Sequence, residues 1–187
     1  MLPINVDLAR VRIVLVGGTA AACRRLALLD QAGADALEVY SPDPVPELEQ
    51  AAGARLCYRL PDPEEVARAQ LVFLAGVPEP AASRIRRIAT VAGVLLNVED
   101  DLARSDFHSA AVVRRGDLTV AISTNGRSPG LAAAVRRDLE ARFGAEWQSR
   151  IDRAAVLRTS WREAGADPAT IARWTALWLS AEGQPSG

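Results

Sequence analysis

Residues 12–18 read RIVLVGG, an unbroken apolar run that ends in two glycines, and a helix-like stretch, 20–32, follows directly. A short apolar run without polar alternation suits a strand buried on both faces, as in a parallel sheet covered by helices. The pattern recurs. ALEVY (36–40), LVFLA (71–75) and VLLNV (94–98) read as further strands, and 80–92 reads as a helix between the last two. Strands alternating with helices at this spacing imply βαβ units. The fold expected is α/β, a Rossmann-like doubly wound parallel sheet. In the first helix Leu26, Leu28 and Leu29 supply the apolar side, Arg24 and Arg25 are expected to be exposed, and Gly33 is the stop.

After residue 100 the character changes. LTVAIS (118–123) reads as a strand preceded by the turn RRGD, and Ser128-Pro129 opens a long helix with serine as N-cap and proline in the first turn. Two more helical stretches, 146–164 and 168–181, carry all four tryptophans, and the tail EGQPSG is expected to be disordered. The division expected is a nucleotide-fold domain over 1–112, a strand and helix over 113–145, and a helical region over 146–187. The Ala- and Trp-rich faces of that last region suit either an internal core or packing against another surface.

With 49% hydrophobic residues in 187, the chain can bury a substantial core, and a net charge of −1 gives no field for nucleic acid or an acidic membrane. All 22 basic residues are arginine. Cys23 and Cys57 match no metal or redox spacing. No secretory leader or membrane-length apolar run is read, so the expectation is a cytoplasmic protein with no nucleic-acid or membrane partner.

The glycine turn approaches the dinucleotide-binding fingerprint G-x-G-x-x-G/A. Gly17 fills the tight-turn position and Ala22 the helix-packing position, but Thr19 stands where the second glycine lets backbone approach a diphosphate. Gly18 lets the turn adjust, and a threonine hydroxyl can donate to a phosphate oxygen. Neither Glu38 nor Asp43 is well placed for the ribose. The same turn occurs in folds that bind nothing, so the loop alone leaves dinucleotide binding open. A second candidate is the fourth strand's end, Asn97-Val98-Glu99-Asp100-Asp101, at the sheet edge where such folds hold ligands. A carboxylate there serves either as a general base or as a cap for the next segment.

Several motifs then follow in order: Asn97-Val98-x-Asp100, Phe107, Arg115-Gly116, and Ser123-Thr124-Asn125-Gly126-Arg127-Ser128-Pro129. Together with Leu2-Pro3-Ile4, Val16-Gly17-Gly18 and Ala32-Gly33-Ala34, they resemble the siroheme synthase N-terminal family over residues 2 to about 143. Its members are precorrin-2 dehydrogenases, some of them also sirohydrochlorin ferrochelatases. The resemblance implies NAD as cofactor, a tetrapyrrole substrate (precorrin-2, sirohydrochlorin), ferrous iron as a chelatase substrate in bifunctional members, and a homodimer joined through the segment after the nucleotide domain. It implies Asp100 as the catalytic residue. The cofactor would be held by Gly17, Gly18, Thr19, Ala20, Ala21, Ser41, Pro42, Ala75, Gly76, Asn97 and Val98. The substrate would be held by Thr124, Asn125, Gly126, Arg127 and Ser128. Arg114, Arg115, Arg136 and Arg137 are further candidates for pairing with substrate carboxylates, although solvated surface arginines account for most of them. His108, the one histidine, suits a metal ligand or a proton carrier as well as a structural role, and a histidine without a partner is more often structural.

Two segments depart from the family pattern, Thr19 for a third glycine and Ala75-Gly76-Val77-Pro78-Glu79 where Ala-Thr-Asp/Asn-Asp is usual. Both lie on the nucleotide side. They keep open two alternatives: a chelatase that has lost the dehydrogenase step, and a tetrapyrrole-binding protein without turnover.

Overall fold

Five parallel strands, β1 (Arg12–Val16), β2 (Ala36–Tyr40), β3 (Leu56–Cys57), β4 (Leu71–Leu74) and β5 (Leu95–Val98), form a sheet in the order β3-β2-β1-β4-β5. The computed structural model describes residues 2–182, which divide into two compact units, the first ending at His108 and the second beginning at Ser109. In the first unit β1 and β4 are buried almost throughout, as their unbroken apolar sequence demands. Ile13 and Leu15 face helices α1 (Ala20–Gln31) and α2 (Pro46–Ala52) through Leu26, Leu29 and Leu48. Val14 and Val16 face α3 (Pro63–Arg68) and α4 (Ala81–Ala92) through Val66, Ala82 and Ile85. The α/β doubly wound fold is therefore observed.

Two differences appear here. SPDPVP (41–46) reads as a break after the second strand and no element is read from there to residue 70, yet the segment 41–70 holds α2, β3 and α3. These elements span 7, 2 and 6 residues, too short to establish a periodicity. Within α1, Leu28 is exposed, whereas Arg25 is half-buried with its guanidinium 5.1 Å from the centre of the Phe73 ring. The end of α1 is as expected: Gly33 takes a φ of +77° that a side chain would strain.

The α3 turn carries a compact charge network. Both Glu65 oxygens accept from Arg59, at 2.7 Å each, and Glu65 Oε2 also accepts from the Asp62 N–H at 2.7 Å, completing a capping box. The Arg59 hydrogen bonds above all hold the Glu65 carboxyl down at about 2. A carboxyl lowered by folding adds stability above its unfolded value of about 4.3 and loses it as pH falls through about 2. Glu65→Gln is expected to lower the urea midpoint at pH 7. The gap from wild type should narrow steadily as the titration approaches pH 2.

Beyond β5 the first unit is closed by a folded-back segment, 99–108, rather than by a helix. Asp106 donates its N–H to Leu96 O (2.7 Å) and accepts from the Leu96 N–H (3.0 Å), while Ser105 Oγ accepts from the Val98 N–H (2.8 Å). The open edge of β5 is thereby satisfied locally. Phe107 then covers the sheet, edge-on to Phe73 with ring centres 5.3 Å apart.

The second unit opens with an antiparallel hairpin, β6 (Ala111–Arg115) and β7 (Leu118–Ile122), turning at Gly116 with φ +59°. Only β7 is legible as a strand in the sequence; β6 is masked by its paired arginines. Helices α5 (Pro129–Arg142), α6 (Trp147–Glu163) and α7 (Pro168–Ala181) follow. Trp161 meets Trp174 across α6 and α7 at 5.6 Å, and Trp147 packs on Phe143 at 5.0 Å. Among the described residues the buried hydrophobics of this unit are Val113, Ala132 and Ile171, while Leu131, Val156 and Leu177 are exposed. Glu182 caps α7 and pairs with Arg153; residues 183–187 of the expected tail lie outside the described residues.

Candidate functional site

The sheet order reverses its direction of winding between β1 and β4, and at such a point the loops at the carboxyl ends splay to leave a crevice. Gly17 follows β1 with φ +152°, and a Cβ there would lie 2.0 Å from the Ala75 carbonyl oxygen. Only glycine lets the β1 and β4 ends approach this closely. Gly18 is equally confined: a Cβ would lie 2.6 Å from Ser41 Oγ and 2.4 Å from the Asp43 carbonyl oxygen. The loop after β2 is pinned to this turn, since the Val45 N–H donates to Gly18 O at 2.8 Å.

Thr19 is the N-cap of α1. Its Oγ1 accepts from the Ala21 N–H at 3.3 Å, and its carbonyl accepts from the Ala22 and Cys23 N–H groups. The side chain lies against Gly76, whose own Cβ would sit 2.5 Å from Thr19 Oγ1. Thus the two departures from the family pattern fit each other, with a glycine in one loop making room for a threonine in the other. Among the described residues the N–H groups of Gly18, Thr19 and Ala20 take no acceptor. Consecutive free donors at a helix N-terminus form a cradle for an anion such as a diphosphate. Thr19→Ala should cost about 1 kcal/mol of stability through loss of the cap, read by denaturant titration.

At the end of β5, Asn97 is buried, donates Nδ2–H to Phe107 O at 2.9 Å, and leaves Oδ1 without a partner. Val98 is half-buried beside it. Asp100 is exposed at the sheet's carboxyl edge, with its backbone at φ +59°, a conformation that aspartate tolerates better than most residues. Its neighbour Glu99 accepts from Arg24 at 3.5 Å through Oε1, while Oε2 is buried without a hydrogen-bond partner. Burial lowers the Arg25 pKa, and the carboxylates of Glu99 and Asp100 work against that effect. Asp100 thus stands at the carboxyl edge of the sheet within the field of a partly desolvated positive charge.

The remaining candidates, Thr124 to Ser128, belong to the second unit and form the turn between β7 and α5. Thr124 Oγ1 accepts from the Ser128 N–H and donates to Ser128 O, both at 3.1 Å, and Ser128 Oγ caps α5 by accepting from the Leu131 N–H. Asn125 and Gly126 both have positive φ, +51° and +74°. Asparagine and glycine are the two residue types that best tolerate such a left-handed turn. Asn125, Gly126 and Arg127 are exposed at its tip. Arg115 and Arg136, by contrast, serve their own unit. Arg115 donates to Phe143 O and Glu140 O, and Arg136 pairs with Glu140. Among the described residues no cluster of three or more His, Cys, Asp or Glu side chains is placed to hold a metal ion.

Comparison with known proteins fits this geometry. Residues 4–111 match a family described as putative NAD(P)-binding, and residues 115–142 match the sirohaem biosynthesis protein central family. The chain belongs to the siroheme synthase N-terminal family. The siroheme synthase of Acinetobacter baylyi is 30% identical over 185 residues, which cover 89% of this chain and 40% of that protein. That of Chromobacterium violaceum is 34% identical over 162 residues, covering 80% and 34% respectively. The chain therefore spans less than half the length of these relatives. A solved structure titled SirC, precorrin-2 dehydrogenase, superposes with a TM-score of 0.74 over 100% of this chain and 93% of that one, at 19% identity, and so shares the fold.

Within this family frame, the structure brings Gly17, Thr19, Ala75 and Gly76 into one cluster and Gly18 with Ser41 into another along the same edge. Pro42 follows in the loop pinned over Gly18. The sequence gives no functional role to Glu79, Arg104 or Ser105, which close the turn around Asp100 and Asp101. The i,i+3 spacing of Asp101 and Arg104 was the available signal. No helix among the described residues is long and apolar enough to cross a membrane.

Proposed function

We propose that this chain catalyses the NAD-dependent oxidation of precorrin-2 to sirohydrochlorin, as a cytoplasmic homodimer. The observation that carries the reading is Asp100, exposed at the same carboxyl edge of the sheet as a glycine turn with free backbone donors, in a chain of this family. The residues fit a dinucleotide: the N–H groups of Gly18, Thr19 and Ala20 would take the diphosphate, and the loop at Ser41 and Pro42 would border the ribose. Ala75, Gly76 and Val98 would line the edge toward the nicotinamide, with the unpartnered Asn97 Oδ1 as an acceptor. The segment 41–43 has no basic side chain, which favours NAD over a 2′-phosphorylated cofactor. When bound, NAD supplies the hydride acceptor.

The oxidation removes one hydride and one proton from the macrocycle. Asp100 would take the proton at a carboxylate oxygen as hydride leaves a carbon of the macrocycle. Arg127, exposed at the β7–α5 turn with Thr124, Asn125, Gly126 and Ser128, would bind substrate carboxylates. For the same chain we propose a dinucleotide-binding domain over 1–112, a dimerisation region over 113–145 and a helical region over 146–187. The thin core of the second unit and its exposed Leu131, Val156 and Leu177 support a dimer.

A second reading, insertion of ferrous iron into sirohydrochlorin, is kept by the two departures from the family pattern on the nucleotide side, Thr19 and the segment Ala75 to Glu79. Here Asp100 would accept pyrrole N–H protons as the metal enters. One coupled assay separates the readings: precorrin-2 with and without NAD, followed by NADH absorbance, then sirohydrochlorin with ferrous iron. NADH formation dependent on precorrin-2 supports the dehydrogenase. Iron insertion without it supports a chelatase.

A further inference from the structure

The turn that presents Asp100 is closed by side chains that have no part in the chemistry above. Arg104 donates Nε–H to Asp101 Oδ2 at 2.6 Å, and its backbone N–H donates to Asp101 Oδ1 at 3.0 Å. The same guanidinium reaches across through Nη1 to Glu79 Oε1, on the loop between β4 and α4. Glu79 is itself anchored, accepting from the Ser83 N–H at 3.2 Å through Oε2. Arg86 of α4 donates to the Arg104 carbonyl. Ser105 Oγ closes the turn from within, donating toward Asp101 O (2.7 Å) or Val98 O (3.1 Å) while accepting from the Val98 N–H. Hydrogen bonding from Arg104 holds the Asp101 carboxyl below its ordinary value, and hydrogen bonds from Ser83 first and Arg104 second do the same for Glu79, so both acceptors stay charged.

We propose that Arg104 is a positioning residue for Asp100; the assignment rests on the dehydrogenase reading. Asp100 has φ +59°, which an isolated turn would not favour, and the neighbouring Asp101 is the side chain by which the turn is gripped. By joining Asp101 to Glu79, Arg104 fixes the proton acceptor relative to the loop that begins at Ala75 and Gly76. That loop packs on Thr19 at the head of α1, so the acceptor and the cradle for the cofactor are set in one frame. A lysine would supply the charge but not the fork that reaches two carboxylates at once.

The test uses the full chain. Arg104→Gln should lower kcat for precorrin-2 oxidation by about 10- to 100-fold, because a small misplacement of a proton acceptor is costly. KM for precorrin-2 and the calorimetric Kd for NAD should stay within about threefold of wild type, since Arg104 belongs to neither set of proposed binding residues. Arg104 is partly exposed, so the variant should fold, which circular dichroism and the melting temperature check. Glu79→Gln should give a smaller loss, and the double variant no more than Arg104→Gln alone, as members of one network are non-additive. Arg104→Lys should recover part of kcat. An active wild type whose Arg104→Gln variant keeps kcat within about twofold overturns the positioning role alone, as does a loss shared equally by KM and NAD affinity. A wild type that does not oxidise precorrin-2 overturns the dehydrogenase reading and the positioning role with it.

Discussion

Asp100→Asn is expected to lower precorrin-2 oxidation by about 10²- to 10⁴-fold, the usual contribution of a positioned proton acceptor. Asparagine is the informative replacement. It keeps the shape of the side chain and tolerates the left-handed backbone at φ +59°, so the turn between β5 and Ser105 survives while proton acceptance is lost. Steady-state NADH formation gives kcat, and calorimetry with NAD alone checks that the cofactor site is intact. Asp100→Ala should lose the same activity and also some stability, since alanine fits that conformation less well. Retention of more than about a tenth of wild-type kcat in the asparagine variant would remove Asp100 from the mechanism.

Gly17→Ala is expected to damage both fold and cofactor binding. The added methyl would lie 2.0 Å from the Ala75 carbonyl oxygen and 3.2 Å from Ala22 Cβ, and neither the β4 end nor the start of α1 can retreat without breaking the sheet edge. Overpacking of this kind costs about 1–3 kcal/mol, and the φ of +152° adds strain for any residue with a Cβ. Urea denaturation should show the stability loss. NAD titration by calorimetry should show affinity reduced at least tenfold, because the three free donors follow this residue directly. A variant with unchanged midpoint and unchanged Kd would mean that the crevice between β1 and β4 is not built as described.

The frame of the first unit was legible because its signals are local. Apolar runs bounded by glycine marked β1, β2, β4 and β5, and Ser128-Pro129 marked the start of α5, where Ser128 indeed caps. What was missed is equally instructive. The elements α2, β3 and α3 are too short to carry a period, and β6 is masked by Arg114 and Arg115, whose placement depends on pairing with β7. Arg25 is half-buried rather than exposed because the Phe73 ring offers an aromatic face that accepts its guanidinium, while Leu28 lies exposed.

By itself, the sequence determined the α/β class, the glycine turn at residues 17–18 and the ordered motifs from Asn97 to Pro129, all features written in residues close along the chain. Tertiary structure alone decided what Thr19 does. Its hydroxyl caps α1 and its side chain nests against Gly76, two loops away, which joins two apparent departures into one packed pair. It also decided how Asp100 is held, because Arg104 and Glu79 are 25 residues apart and meet only when β4 and β5 lie side by side. Such pairs depend on the distance between loops in space, and no local pattern of polarity or turn residues records that distance.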